Sequence, residues 1–165
     1  MKMKFLIYPL LLAVLCLSCV TGSVTQAAER SLAGYAYVAP GARSGLGPVD
    51  FNLSVGGGAE YRLVDGFGVA ADIGYVFLNA KKDFGIFSPG IFYQFQPSKK
   101  VVPFVEGGYA LGFHDNTFNM AYFGGGVNYW ASDRLGIKLE VRDHIGTDNP
   151  ARLNLIEYRI GLLFR

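Results

Sequence analysis

Beyond Cys19 the sequence has no cysteine, and its 165 residues include one tryptophan and two histidines. The long carboxyl-terminal part therefore has no thiol for a disulfide, a cysteine–metal site or a cysteine nucleophile. It also lacks an excess of charge, because 13 basic and 13 acidic side chains follow residue 28. Binding to nucleic acid consequently has no electrostatic support.

Helical features are missing as well. No stretch after residue 28 has apolar residues at a period of 3.6, and no apolar run there is long enough for a membrane-spanning helix. If this part of the chain enters a membrane, it must do so as β-strands that satisfy one another's backbone hydrogen bonds.

The amino terminus has the features of a secretory signal. Two lysines, an uncharged and mainly apolar run of 16 residues, and a small-residue stretch ending at Ala28 follow one another. We predict a secretory signal peptide at 1–28, cleaved on export, and a single domain at 29–165. The sequence leaves open cleavage near Ala28, lipidation at Cys19 and an uncleaved anchor.

A repeat organises the remaining chain. Three acidic residues recur at intervals of 34 residues, at Asp72, Glu106 and Glu140. An aromatic residue precedes each of them by 11 positions. Because the surrounding alternation has period two, the repeated unit is predicted to be a β-hairpin, and four hairpins give eight strands.

The strands are separated by two kinds of connection. The predicted strands are Ser31–Ala39, Asp50–Leu63, Phe67–Leu78, Phe84–Gln96, Val101–Phe113, Phe118–Trp130, Arg134–His144 and Leu153–Phe164. The second, fourth and sixth connections are short and contain turn residues, whereas those at Pro40 to Val49 and Ile145 to Arg152 are longer. Such alternation predicts an all-β, eight-stranded antiparallel up-and-down transmembrane β-barrel.

Side-chain bulk decides which face points outward. One face of the strands carries more than twenty large apolar side chains, and the opposite face is rich in glycine. The interior of an eight-stranded barrel is just wide enough for side chains to fill, so the bulky face cannot fit inside. The apolar face is therefore predicted to face lipid. Aromatic girdles are expected at both strand ends, with Tyr75, Phe77, Phe84, Phe87 and Phe113 at the loop side.

The inward face also carries charges. Nine charged residues lie on it: Glu60, Arg62, Asp72, Glu106, Lys138, Glu140, Arg142, Glu157 and Arg159. Charges in a narrow lumen must pair, because an unpaired buried charge costs several kcal/mol. The hypothesis is an ion-pair network that closes the lumen, with a layer of carboxylates bridged by Arg62, Lys138, Arg142 and Arg159. The alternative is that these charges are solvated in a water-filled interior.

Two strands and the end of the chain carry a family resemblance. They are Phe123–Gly124–Gly125–Gly126–Val127–Asn128–Tyr129, the segment Arg134 to Asp143, and the alternating Tyr158, Ile160, Leu162 and Phe164. Through them, residues 29–165 resemble the small eight-stranded outer-membrane β-barrel family, the OmpA-like and OmpX-like β-barrel domains. The resemblance implies a location in the Gram-negative outer membrane and contact with its lipid and lipopolysaccharide. It also implies that the final strand is the signal read by the barrel-assembly machinery, although Arg165 follows the terminal aromatic.

Catalytic candidates are few. The resemblance includes lipid A-modifying enzymes, and His144 with Asp143, Glu140 or Glu157 could supply a polarised imidazole. The residues after His144 contain no serine nucleophile, and His114 lies at another strand end. We therefore predict no catalytic, cofactor or metal site.

These observations lead to one expected function and three alternatives. We expect a monomeric outer-membrane barrel with a structural or surface-interaction role and a charged, largely filled lumen. The alternatives are a narrow passive pore, a lipid A-modifying enzyme and a soluble periplasmic barrel that carries a ligand.

Overall fold

The described strands close into one sheet. In the computed structural model, residues 31–45, 47–79, 83–146 and 154–165 are described. The strands are β1 Ser31–Gly45, β2 Gly47–Val64, β3 Phe67–Leu78, β4 Phe84–Gln94, β5 Val101–Phe113, β6 Thr117–Trp130, β7 Leu135–Gly146 and β8 Asn154–Phe164. Each pairs antiparallel with the next, and β8 pairs with β1. The predicted eight-stranded up-and-down barrel is confirmed, while the predicted signal peptide lies outside the described residues.

The barrel has two distinguishable ends. Turns at residues 65–66, 95–100 and 131–134 join β2 to β3, β4 to β5 and β6 to β7 at one end, here called the short-turn end. The opposite end, here called the loop end, holds the other connections. At the short-turn end Gly66 has a φ of 84°, which glycine adopts readily, and its carbonyl accepts a hydrogen bond from the Gln94 amide at 2.8 Å.

The first hairpin differs from its prediction. The predicted loop from Pro40 to Val49 is largely strand, because β1 continues to Gly45 and β2 begins at Gly47. Pro40 still pairs with Leu53 of β2, and the break it causes falls in the ladder between β1 and β8. Proline lacks one backbone donor, so it interrupts one ladder without ending the strand.

Strand alternation separates two surfaces. The large apolar side chains predicted to face lipid lie on the outside, including Phe51, Ile73, Phe123, Leu139 and Leu162, and each is at least half exposed. The described residues form no helix that is long and apolar enough to span a membrane. An apolar outer surface of this extent indicates a lipid environment for the barrel wall.

The prediction about the girdles is wrong at one position. Phe84 begins β4 and points into the lumen, where it is 5% exposed, whereas Tyr75, Phe77, Phe87 and Phe113 face outward as expected. Phe84 packs edge-on against Phe118, with ring centroids 5.1 Å apart. Alternate residues of a strand point to the same face, so Phe84 lies with Ile86 on the inner face. Its position near a strand end does not change this.

The lumen contains more apolar bulk than the glycine-rich face predicted. A loop-end cluster consists of Val76, Leu78, Phe84, Ile86, Ala110, Met120, Tyr122 and Leu155. A short-turn cluster consists of Ala33, Tyr35, Tyr37, Ala39, Val102, Trp130 and Leu163. Glycines make room for these rings: a Cβ on Gly56 would lie 2.6 Å from the Tyr37 hydroxyl oxygen, and one on Gly108 would lie 2.9 Å from Tyr122 Cε1. Large side chains therefore fit inside because glycines face them.

Candidate functional site: a buried ion-pair network

All nine charged residues predicted for the lumen lie on the inner face. They come from five strands: Glu60 and Arg62 from β2, Asp72 from β3, Glu106 from β5, Lys138, Glu140 and Arg142 from β7, and Glu157 and Arg159 from β8. Each is buried, and the most exposed, Arg62, retains 9% of its accessible surface. Burial to this degree removes nearly all hydration, so each charge depends on its protein partners.

The three acidic residues of the 34-residue repeat meet at one arginine. Arg142 Nη1 lies 2.7 Å from Asp72 Oδ2, and its Nε lies 2.5 Å from Glu140 Oε1. Its Nη2 contacts Glu106 Oε1. A guanidinium presents five N–H donors in a planar fork, so one side chain can bond three carboxylates at once. Asp72, Glu106 and Glu140 are called the carboxylate layer below.

Lys138 joins the carboxylate layer from the short-turn side. Its Nζ lies 3.4 Å from Glu106 Oε2 and 3.7 Å from Glu140 Oε2. The same ammonium lies over two aromatic faces, 4.2 Å from the Phe104 centroid and 4.8 Å from that of Tyr35. Cation–π attraction therefore adds to the two ion pairs that hold the Lys138 side chain in place.

Arg159 extends the network along β8. Its Nη1 lies 3.3 Å from Asp72 Oδ2, and its Nη2 lies 2.8 Å from Glu157 Oε2. Its guanidinium covers the Tyr37 ring at 4.2 Å. The hydroxyl of Tyr35 donates a hydrogen bond to Asp72 at 3.1 Å. Asp72 thus interacts with two arginines and a tyrosine, and these partners compensate the loss of water around its carboxylate.

Two of the predicted members are displaced from the carboxylate layer. Arg62 pairs with Gly68 across β2 and β3, four residues from Asp72 and nearer the short-turn end. Glu60 accepts a hydrogen bond from Gln94 Nε2 at 3.3 Å. Gln94 is not among the luminal residues predicted from the sequence. The alternation of β4 places it on the inner face and could have identified it.

The histidines occupy different environments. His144 is fully buried in the lumen, with Nδ1 3.9 Å from Glu157 Oε2, whereas His114 is partly exposed and lies 3.4 Å from Asp115. Asp143, considered as a partner for the His144 imidazole, lies on the opposite face of β7. Asp143 is therefore ruled out as that partner, because adjacent strand residues point to opposite faces.

Sequence reasoning did not identify Ser54, a buried serine near His144. Its hydroxyl donates a hydrogen bond of 2.5 Å to Glu157 Oε1, and Asn52 Nδ2 donates one of 3.3 Å to the Ser54 oxygen. Serine and histidine thus both approach Glu157. A nucleophilic serine needs a base to accept its proton, and here the serine donates to the carboxylate that also faces the imidazole.

Within the described ranges, no group of three or more histidine, aspartate or glutamate side chains is arranged to hold a metal ion. The described lumen instead places five acidic side chains against three arginines and one lysine. These ion pairs hold β3, β5, β7 and β8 to one another across the lumen.

Solved structures with this architecture include barrels of the outer membrane. Neisserial surface protein A is 18% identical, with a TM-score of 0.69 over 82% of this chain and 97% of that chain. The N-terminal β-barrel domain of Pseudomonas aeruginosa OprF is 18% identical, with a TM-score of 0.61 over 81% and 95%. The outer-membrane enzyme PagL is 16% identical, with a TM-score of 0.51 over 79% and 98%.

The similarity to known proteins is visible in the structure and not in the sequence. No family model matches the chain, and no curated protein sequence is detectably similar to it. The likeness therefore rests on the barrel and on its strand order. The chain has the fold of the small eight-stranded outer-membrane β-barrels.

Proposed function

We propose that this chain is an outer-membrane barrel with a structural or surface-interaction role, and that its filled lumen does not conduct. The observation that carries the proposal is the contact of Arg142 with carboxylates from β3, β5 and β7. These contacts cross the lumen from β7 to β3 and β5. They occupy the space that a water-filled pore would need. Structural neighbours include a protein named as a surface protein, which supports a role at the cell surface.

Apolar packing on both sides of the charged network supports a closed lumen. Tyr122 of the loop-end cluster lies under the Arg142 guanidinium at 4.4 Å. Tyr35 of the short-turn cluster lies under the Lys138 ammonium at 4.8 Å. A pore through this barrel would need both clusters to separate and the ion pairs to break. This arrangement favours the structural role over the narrow passive pore.

Export and assembly belong to the same proposal. The signal peptide at 1–28 would direct the chain across the inner membrane, and the last strand would be read by the barrel-assembly machinery. Tyr158, Ile160, Leu162 and Phe164 all face outward, and each is more than half exposed. The mature barrel would be a monomer that contacts lipid and lipopolysaccharide through this outer surface.

The first experiment is a heat-shift gel on membrane fractions from expressing cells. We expect the protein in the outer-membrane fraction, with a different mobility before and after boiling, because a barrel of paired strands resists detergent until heated. Planar bilayers containing the purified protein should then show no steady conductance. Recovery in the soluble periplasmic fraction without a heat shift would favour the ligand-carrying barrel, and steady channel currents would favour the pore.

A lipid A-modifying enzyme is the second candidate, supported by the PagL likeness and by the buried His144, Glu157 and Ser54. All three side chains are fully buried inside the lumen, away from the lipid that such an enzyme would have to reach. We expect mass spectra of lipid A to be the same with and without the gene. Loss of an acyl chain that depends on Ser54 would establish the enzyme and overturn the structural proposal.

A further inference from the structure

The short-turn end carries a group of exposed basic side chains. Lys99 and Lys100 lie in the turn between β4 and β5, Arg134 lies in the turn between β6 and β7, and Arg165 follows β8. All four are exposed. They are called the basic rim. Both turns are fully described, and they contain one acidic residue, Asp133.

Backbone contacts bring these residues to one side of the barrel. The Trp130 amide donates to the Lys100 carbonyl at 2.8 Å, and the Arg165 amide donates to the Arg134 carbonyl at 3.0 Å. The Arg165 guanidinium stacks 3.8 Å from the Trp130 ring centroid. The turn from β2 to β3 contains Asp65 and no basic residue, so among the described residues of this end the positive charge lies beside β4 to β8.

Lipid-facing residues lie directly beside the basic rim. Phe95, Val101, Tyr129, Leu135 and Phe164 are each about half exposed or more on the outer wall at this end. Aromatic rings at the edge of an apolar membrane-facing wall lie at the height of lipid headgroups, so the turns next to them lie close to lipid phosphate.

We infer that Lys99, Lys100 and Arg134 of the basic rim bind the phosphate groups of anionic phospholipids in the leaflet around the short-turn end. The inference deepens the proposed function, since it requires the barrel to lie in a membrane. Phospholipid is the partner that the position favours, because Lys100 directly precedes the lipid-facing Val101 and Arg134 directly precedes the lipid-facing Leu135. Guanidinium and ammonium groups are the usual protein partners of phosphate.

The test uses the full barrel refolded into phosphatidylcholine vesicles with trace spin-labelled lipid. Electron paramagnetic resonance measures how strongly labelled phosphatidylglycerol associates with the barrel relative to labelled phosphatidylcholine. We expect a preference for phosphatidylglycerol that corresponds to roughly fivefold per engaged charge. Raising salt from about 0.1 M to 1 M should weaken it, because the screening length falls from about 10 Å to about 3 Å.

The triple variant K99Q/K100Q/R134Q should remove most of the preference. Arg165 is left unchanged because it packs on Trp130. The control R43Q/K81Q/K82Q removes the same charge from positions outside the basic rim and should keep the preference. Equal association of the two lipids with the unmodified barrel, or equal losses in both triple variants, would overturn the inference. A barrel that does not enter the vesicles would instead contradict the proposed function.

Discussion

Replacing Arg142 with alanine should destabilise the barrel more than any other single change in its lumen. The substitution removes the partner shared by Asp72, Glu106 and Glu140 and leaves three carboxylates facing one another with little water. Removing one partner of a buried ion pair costs about 3–5 kcal/mol, and here three pairs depend on one side chain. Urea unfolding in lipid vesicles, followed by fluorescence of the single tryptophan, Trp130, measures the loss.

A double-mutant cycle separates the network from a general effect of substitution. R142Q and E106Q should each destabilise the barrel, while R142Q/E106Q should cost less than the sum because it removes a charge of each sign. Interacting buried groups give coupling of about 0.5–3 kcal/mol. R134A changes an exposed arginine in a turn and should stay within about 0.5 kcal/mol of the parent. Additive effects of R142Q and E106Q would argue for solvated charges in a water-filled lumen.

The repeat shows how far sequence alone could go. The 34-residue spacing of Asp72, Glu106 and Glu140 predicts equivalent heights on alternate strands, because each interval spans one hairpin. Period-two alternation then places all three inside. The sequence could not identify which cation meets all of them. Which cation contacts the three carboxylates depends on the stagger of the strands and on the length of the side chains. In this barrel it is Arg142, whereas Arg62 lies nearer the short-turn end.

The apolar clusters of the lumen were accessible to sequence reasoning but were not found by it. Ile86 and Met120 have the same inward parity as the charged residues, and parity is a strong signal in a closed barrel. The many glycines of the inner face predict a lining of small side chains. The glycines in fact make room for the rings of Tyr37 and Tyr122 on neighbouring strands. Which glycine faces which ring depends on the register between strands, and the sequence does not give this register.

Ser54 illustrates the same limit at longer range. It lies 103 positions before Glu157, and its hydrogen bond forms only because β8 closes on β1 and brings β2 near. Strand alternation predicts an inward side chain at Ser54 but no partner. A search for a nucleophile in the sequence next to His144 therefore could not find it.

Placing an arginine on the middle of the outer wall should have the second largest effect. Leu139 lies near the centre of β7, faces outward between Val127 and Ile160, and is half exposed. If lipid surrounds this wall, L139R puts a charge near the bilayer midplane, at a cost of about 2–4 kcal/mol. Urea unfolding of the refolded barrel in vesicles measures the change.

Leu135 provides a control on the same strand and the same face. It is the first residue of β7 and is 61% exposed at the short-turn end, where L135R would put the same charge near the interface. The expected cost there is about 0–1 kcal/mol, so the two arginines should differ by depth alone. A soluble barrel would have water at both positions, and both variants would then lie within about 0.5 kcal/mol of the parent. Equal, small effects would therefore contradict a lipid-facing wall, whereas a large loss confined to L139R would follow from a bilayer around β7.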